Sequence, residues 1–218
     1  MTTDQLLALS VFAAVSSGTP GPNNLMILTS GVNFGMKRSI PHLMGITLGF
    51  CFMIFCVGMG LQTMFSVVPQ LETVLRYVGT VYLLWLAWKI TNSGPISSGS
   101  GEGKAGCDAS NLKPMGFWAA TAFQWVNPKA WFMAISAITT YASSASGGSK
   151  LNQVLLVVLI FGVINLPLVA CWGWFGSAMR RFLQDPKNLK IFNVTMAILL
   201  VVSLYPIVYP VVQPLFHG

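Results

Sequence analysis

The sequence predicts an all-α membrane protein of about six transmembrane helices, built as a 3+3 inverted repeat with broken first and fourth helices. Of its 218 residues, 54% are apolar and only 8% are charged, against roughly 25% charged in soluble domains. The apolar residues gather in stretches of about 20, the length that crosses a bilayer as a helix. A transmembrane barrel would instead alternate apolar and polar residues, which stretches such as 151–160 do not.

The apolar stretches follow one another along the chain with short connectors. They cover residues 5–30, 41–67, 71–90, 115–141, 151–178 and 191–213. Residues 91–113 are rich in Gly and Ser and are predicted to form a flexible cytoplasmic linker. The linker divides the chain into a first three-helix half, residues 1–90, and a second, residues 114–218.

Basic residues predict the orientation of these spans. The formal net charge of +7 sits mainly in connectors, where it marks topology and does not indicate nucleic-acid binding. Nine basic residues lie in connectors one, three and five, on one side of the membrane: Lys37, Arg38, Lys89, Lys104, Lys113, Arg180, Arg181, Lys187 and Lys190. The opposite side has only Arg76 and Lys150. The positive-inside rule places these connectors in the cytoplasm and both termini outside.

The two halves share a pattern that predicts an inverted repeat. Each begins with a span interrupted by proline and asparagine, although residue identity between the halves is slight. Because three spans is an odd number, the second half enters the membrane from the opposite side. We expect the two halves to rock around a central site by alternating access.

The break in the first span is the most informative part of the sequence. Pro20 and Pro22 lack backbone donors and clash with the preceding turn, so a straight helix would lose hydrogen bonds that lipid cannot replace. Gly21 permits close backbone approach. The side chains that could compensate, and bind substrate, are Thr19, Asn23 and Asn24. Two half-helices meeting here would offer an N-terminus to an anion such as a carboxylate; the alternative is a simple proline kink capped by the asparagines.

The fourth span repeats the theme with Gln124, Asn127, Pro128 and Lys129. Lys129 is the one ionisable residue placed well inside a span, at a cost of roughly 2.5 to 3.5 kcal/mol. No Asp or Glu is embedded beside it, so carbonyls, water or a bound anion must be its partner. Two interpretations stay open: Lys129 binds the carboxylate of a substrate, or it snorkels to the interface or caps a half-helix.

The remaining polar and small residues carry weaker predictions. Gly45 and Gly49 have the spacing that lets two helices approach closely. Gly31 falls in a predicted connector, where we do not expect a close helix contact. Trp172, near a span end, is predicted to be an interfacial anchor. His42 is expected near the membrane surface, and no His, Cys, Asp or Glu pattern predicts a metal site or a cofactor.

Several motifs occur in order and with consistent spacing along nearly the whole chain. They are Thr19-Pro20-Gly21-Pro22-Asn23, Gly45 with Gly49, Tyr82-Leu83, Trp88-Lys89 and Gln124-Trp125-Val126-Asn127-Pro128-Lys129. In these motifs the chain resembles the LysE/RhtB translocator family, and most closely its branch that exports homoserine, threonine, cysteine or related neutral amino acids.

The resemblance implies a bacterial inner-membrane secondary transporter that exports amino acids or their derivatives at the expense of the proton gradient. It implies no enzymatic activity, and both termini would then be periplasmic. The absence of a membrane-embedded carboxylate leaves the proton-carrying group unassigned, and a homo-oligomer is compatible with the sequence. The alternative is a membrane scaffold or assembly subunit, which would explain glycine-rich packing but not two polar breaks. A membrane enzyme would usually display clustered His, Asp or Glu, which the spans lack.

Overall fold

The computed structural model describes residues 1–61, 69–91, 114–142, 149–180 and 182–202. These residues are helical and contain no strand. The helices are α1 (Thr3–Gly18), α2 (Pro22–Phe34), α3 (Met36–Cys56) with a π-helical turn (Val57–Leu61), α4 (Pro69–Thr91), α5 (Phe117–Gln124), α6 (Pro128–Tyr141), α7 (Lys150–Met179), a 3-10 turn (Phe182–Gln184) and α8 (Pro186–Val202).

The predicted breaks in the first and fourth spans are present. α1 ends at Gly18 because Thr19, which precedes a proline, is extended with ψ of 145°, as residues before proline tend to be. Pro22 then occupies the first position of α2, where its missing N–H costs no helical hydrogen bond. Pro128 occupies the same position in α6. Each broken span therefore consists of two helices in succession.

The boundary between the first two spans differs from the prediction. α2 continues past Ser30 to Phe34, and α3 begins at Met36. Gly35 alone separates them, with φ of 78°, a conformation that favours glycine. The basic residues Lys37 and Arg38 consequently lie in the first turn of α3. The linker 92–113 and the predicted ends of spans two and six, at 67 and 213, lie outside the described residues.

Two helices in the described part of the chain are long and apolar enough to cross a membrane: Met36–Leu61, with 26 residues, and Lys150–Met179, with 30. At 1.5 Å per residue the second is about 45 Å long. It continues through Pro167 as one helix. The helical, strand-free architecture and these apolar helices agree with a membrane protein.

The closest helix contacts join the two sequence halves. A Cβ atom at Gly45 would overlap the carbonyl oxygen of Phe117, and one at Gly49 would lie 2.7 Å from the Cα of Thr121. The predicted contact at this pair of glycines is thus present, between α3 and α5. Contrary to the prediction, Gly31 also makes a close contact, with the backbone of Gly173 on α7. It does so because α2 extends beyond the predicted span end.

The side chain of His42 is buried in the protein, a feature that its predicted place near the membrane surface does not indicate. Its side chain is only 2% exposed, and neither ring nitrogen has a hydrogen-bond partner. The residue lies in the second turn of α3, three positions before Gly45, on the helix face that packs against α5.

Candidate functional site

The two breaks meet inside the bundle, and together they form the candidate site. The first break contributes the C-terminal end of α1 and the start of α2. The second contributes the C-terminal end of α5 and the start of α6. The structure brings all the predicted site residues to this junction: Thr19, Asn23, Asn24, Gln124, Asn127 and Lys129.

Asn23 and Gln124 join the breaks through a reciprocal pair of amide hydrogen bonds. Asn23 Nδ2 donates to Gln124 Oε1 at 2.8 Å, and Gln124 Nε2 donates to Asn23 Oδ1 at 3.1 Å. Gln124 Nε2 also donates to the Ala120 carbonyl oxygen at 2.9 Å. Gln124 is fully buried, so its polar atoms need these partners. The pair fixes the start of α2 against the end of α5.

Asn24 caps the end of the helix that precedes it. Its Nδ2 donates to the carbonyl oxygens of Ser17 at 2.7 Å and Thr19 at 2.8 Å. The final carbonyls of a helix lack intrahelical partners, and in an apolar environment each would be costly if unpaired. The side chain of Asn24 therefore pairs acceptors that the break leaves free.

Lys129 reaches from the second break to the first. Its Nζ donates to the Thr19 carbonyl oxygen at 2.8 Å, to Thr19 Oγ1 at 3.0 Å and to the Pro20 carbonyl oxygen at 3.3 Å. A cation at a helix C-terminus interacts favourably with the helix dipole. In this arrangement Lys129 caps the half-helix that ends at Gly18.

The two second half-helices start differently. Asn127 caps α6, because its Oδ1 accepts a hydrogen bond from the backbone N–H of Lys129 at 3.1 Å. The N-cap residue of α2 is Gly21, so this helix has no side-chain cap. The stem of Lys129 lies across Gly21, where an added Cβ atom would be 2.7 Å from Lys129 Cδ. Glycine at this position leaves room for the lysine.

A small cavity lies at the junction. Its volume is about 20 Å³, and its lining includes Gly21, Asn23, Asn24, Asn127 and Lys129. A space of this size holds about one water molecule. In the described conformation the space at this polar centre is thus too small for an amino acid.

Three further polar residues belong to the site. Asn165 of α7 donates from Nδ2 to Ser17 Oγ at 3.1 Å, and its Oδ1 accepts from Thr47 Oγ1 at 3.4 Å. The chain of bonds connects α1, α3 and α7 beside the cavity. The polar character of Asn165 and the proline two positions after it, Pro167, are visible in the sequence. Ser17, one of three serines in α1, gives no such signal.

Two residues outside the breaks also contact them. Trp172, predicted as an interfacial anchor, donates from Nε1 to the carbonyl oxygen of Gly18 at 3.3 Å, so its indole contacts the first break. Gly79 of α4 lies against the carbonyl oxygen of Val126 in the second break. Among the residues that the structure describes, no group of three or more His, Cys, Asp or Glu side chains could hold a metal ion.

A polar centre formed where broken helices meet between apolar helices is typical of membrane transporters. The sequence model of one protein family, the LysE type translocators, matches residues 14–204 of the chain. The chain belongs to this family, which confirms the resemblance seen in the motifs. LysE type translocators are transporters rather than enzymes.

Relatives of the chain match it over almost all of its length. The cysteine/O-acetylserine efflux protein of Salmonella typhimurium is 31% identical over 210 residues, which are 96% of this chain and 100% of the relative. The protein of that name from Escherichia coli K12 is 31% identical over 211 residues, with the same coverage. No solved structure matches the chain significantly.

Proposed function

We propose that the protein exports small neutral amino acids or their derivatives across the bacterial inner membrane, driven by the proton gradient. The observation that carries the proposal is the meeting of the two breaks, which brings Asn23 into contact with Gln124 and Lys129 into contact with Thr19. Family membership and relatives that are cysteine/O-acetylserine efflux proteins support amino acids as the substrate class.

The substrate carboxylate binds Lys129 and the uncapped start of α2. Both carry positive charge, the first as an ammonium and the second as the N-terminal end of a helix dipole. The amide side chains of Asn23, Asn24, Gln124 and Asn127 supply donors and acceptors for the remaining polar groups. In this proposal Pro20, Gly21, Pro22 and Pro128 shape the breaks without contacting the substrate.

Transport proceeds by alternating access around this centre. A cavity that holds about one water must enlarge before an amino acid can enter, so the described conformation is a closed state. An inverted-repeat arrangement is supported by the helix contacts: α1 of the first span packs on α7 of the fifth, and α5 of the fourth packs on α3 of the second. The third and sixth spans, α4 and α8, pack on each other.

Both termini face the periplasm in this arrangement, as the distribution of basic residues indicates. Among the residues that the structure describes, no Asp or Glu lines the cavity. Glu72 lies in the first turn of α4, near a helix end. The proposal therefore leaves proton transfer to Lys129 or to the titrating groups of the substrate itself.

Efflux from loaded vesicles tests the proposal. Proteoliposomes containing the purified protein are filled with radiolabelled cysteine or O-acetylserine, and export is followed with and without an imposed proton gradient. Asn23→Ala and Lys129→Ala should lose most of the activity. Asn152→Ala and Lys150→Ala are matched controls, because both residues are exposed, and they should export at the wild-type rate.

The outcomes separate transport from a scaffold role. Wild-type vesicles that retain every neutral amino acid tested would rule out the proposed function. Full activity in Asn23→Ala and Lys129→Ala would show that the site lies elsewhere. An unchanged rate after collapse of the gradient would remove the proton coupling alone. Labelling of single cysteines near residue 2 with a membrane-impermeant reagent in intact spheroplasts tests the orientation.

A further inference from the structure

The C-terminal end of α1 is a cluster of hydrogen-bond acceptors. The carbonyl oxygens of residues 17–20 all accept from side chains: those of Asn24 of the same span, Lys129 of the fourth and Trp172 of the fifth. The end of a helix also carries partial negative charge from its dipole. This end of α1 is therefore suited to hold a cation.

In the described structure that cation is a side chain of the protein. Lys129 Nζ can donate three hydrogen bonds, and it has three acceptors, two on Thr19 and one on Pro20. The contact is accessible, because Thr19 and Pro20 are exposed and Lys129 is half-buried. The ammonium of Lys129 thus occupies a cation site at the rim of the closed cavity.

An amino acid in its zwitterionic form can replace this contact without a change in net charge. Its ammonium is close to that of lysine in size, charge and number of donors, so it can bind the carbonyl oxygens of Thr19 and Pro20. Its carboxylate can then bind the displaced Lys129. A free carboxylic acid would leave the carbonyl oxygens without a cation, and a free amine would place a second positive charge beside Lys129.

We propose that the substrate enters by inserting between Lys129 and the end of α1, and that the site consequently selects molecules carrying both an ammonium and a carboxylate. This inference rests on the proposed function and makes it more specific. Thr19 and Pro20 bind the substrate ammonium, and Lys129 binds its carboxylate. The side chain of the substrate points away from this pair and contributes less to selection.

Competition between three thioethers that resist oxidation tests the inference. S-methylcysteine carries both charges, N-acetyl-S-methylcysteine only the carboxylate, and 2-(methylthio)ethylamine only the ammonium. Each is added to proteoliposomes that transport radiolabelled cysteine, and the concentration for half-inhibition is measured. We expect S-methylcysteine to inhibit at roughly tenfold lower concentration than either analogue, since each analogue lacks one charge-assisted contact.

A variant of Lys129 tests whether the ligand inserts between Lys129 and the end of α1 or whether the protein simply has a general affinity for amino acids. Lys129→Met keeps the length of the side chain but frees the carbonyl oxygens and removes the repelling charge. We expect the amine analogue to bind this variant several-fold better than it binds the wild type, and S-methylcysteine to bind it worse. Binding is read from the shift in Tm of the purified protein, so a variant that no longer transports still gives a result. Lys150→Met should show the wild-type order.

Each result decides between defined alternatives. If wild-type vesicles export cysteine but all three compounds inhibit within about threefold of one another, insertion is wrong and the proposed function stands. An amine that binds Lys129→Met no better than the wild type also contradicts insertion. If no neutral amino acid is exported at all, the proposed function itself fails.

Discussion

Asn23 and Lys129 occupy the same position in their helices, and each binds the end of the half-helix that leads into the other break. Each follows the proline that begins a helix, Pro22 in α2 and Pro128 in α6. Asn23 bonds to Gln124 at the end of α5, and Lys129 bonds to Thr19 just beyond α1. The two breaks are thus held together by an exchange of contacts, one neutral and one charged.

The neutral contact should behave as a coupled pair. Asn23→Leu leaves the buried amide of Gln124 without its partner, and Gln124→Leu does the same to Asn23. We expect each to destabilise the protein by about 1 to 3 kcal/mol, and the double variant to lose less than the sum because neither polar group remains. Thermal unfolding in detergent measures the effect. Strict additivity would contradict the pairing, and Asn152→Leu is the exposed control.

Gly21→Ala should displace Lys129 from Thr19. The new methyl group would lie 2.7 Å from Lys129 Cδ, and the flexible lysine is the element that can move. The backbone of Gly21 is extended, with φ of −172°, so alanine causes no strain there. We expect a several-fold lower export rate with little loss of stability. Gly116→Ala is the matched control, because its added carbon meets no atom within 4 Å; equal rates in both variants would contradict the prediction.

Gly79→Ala should disturb the second break from outside. An added Cβ atom would overlap the carbonyl oxygen of Val126, and backbone cannot move aside as a side chain can. Overpacking of this kind costs about 1 to 3 kcal/mol. The expected result is a lower Tm together with reduced export. Gly116→Ala, which has open space around the new carbon, should leave both unchanged.

His42→Leu should make the protein more stable. The imidazole is buried and both of its nitrogens lack partners, a cost of about 1 to 3 kcal/mol that an apolar side chain of similar size avoids. The measurement is Tm in detergent, with export recorded in parallel. A lower Tm would mean that the imidazole is bonded in the protein as purified.

The sequence predicts the position of the breaks well and their contacts poorly. Proline excludes a continuous helix by local chemistry alone, so Pro20, Pro22 and Pro128 mark the ends of half-helices without any tertiary information. The partners of Asn23 and Lys129 lie 101 and 110 positions away along the chain, and no local pattern predicts such pairs.

The end predicted for the first span, Ser30, falls short of the end of α2, Phe34. Hydropathy falls at the polar residues that follow, yet the helix continues until Gly35 provides the left-handed conformation that ends it. Gly31 therefore lies within a helix and contacts Gly173. Nothing in the sequence assigns Ser17 to the site, because a serine in a helix can bond to the backbone of its own helix. Only the position of Asn165 in the fold gives the Ser17 hydroxyl a partner on another helix.

The glycine contacts between α2 and α7, and between α3 and α5, limit which parts can move as rigid units. Main chains that touch without side chains between them leave little room for sliding, and each of these helix pairs takes one member from either side of the linker. In the proposed transport cycle, the bodies that reorient would then each contain helices from both sides of the linker, and the boundary between moving bodies would not coincide with the boundary between the two sequence halves.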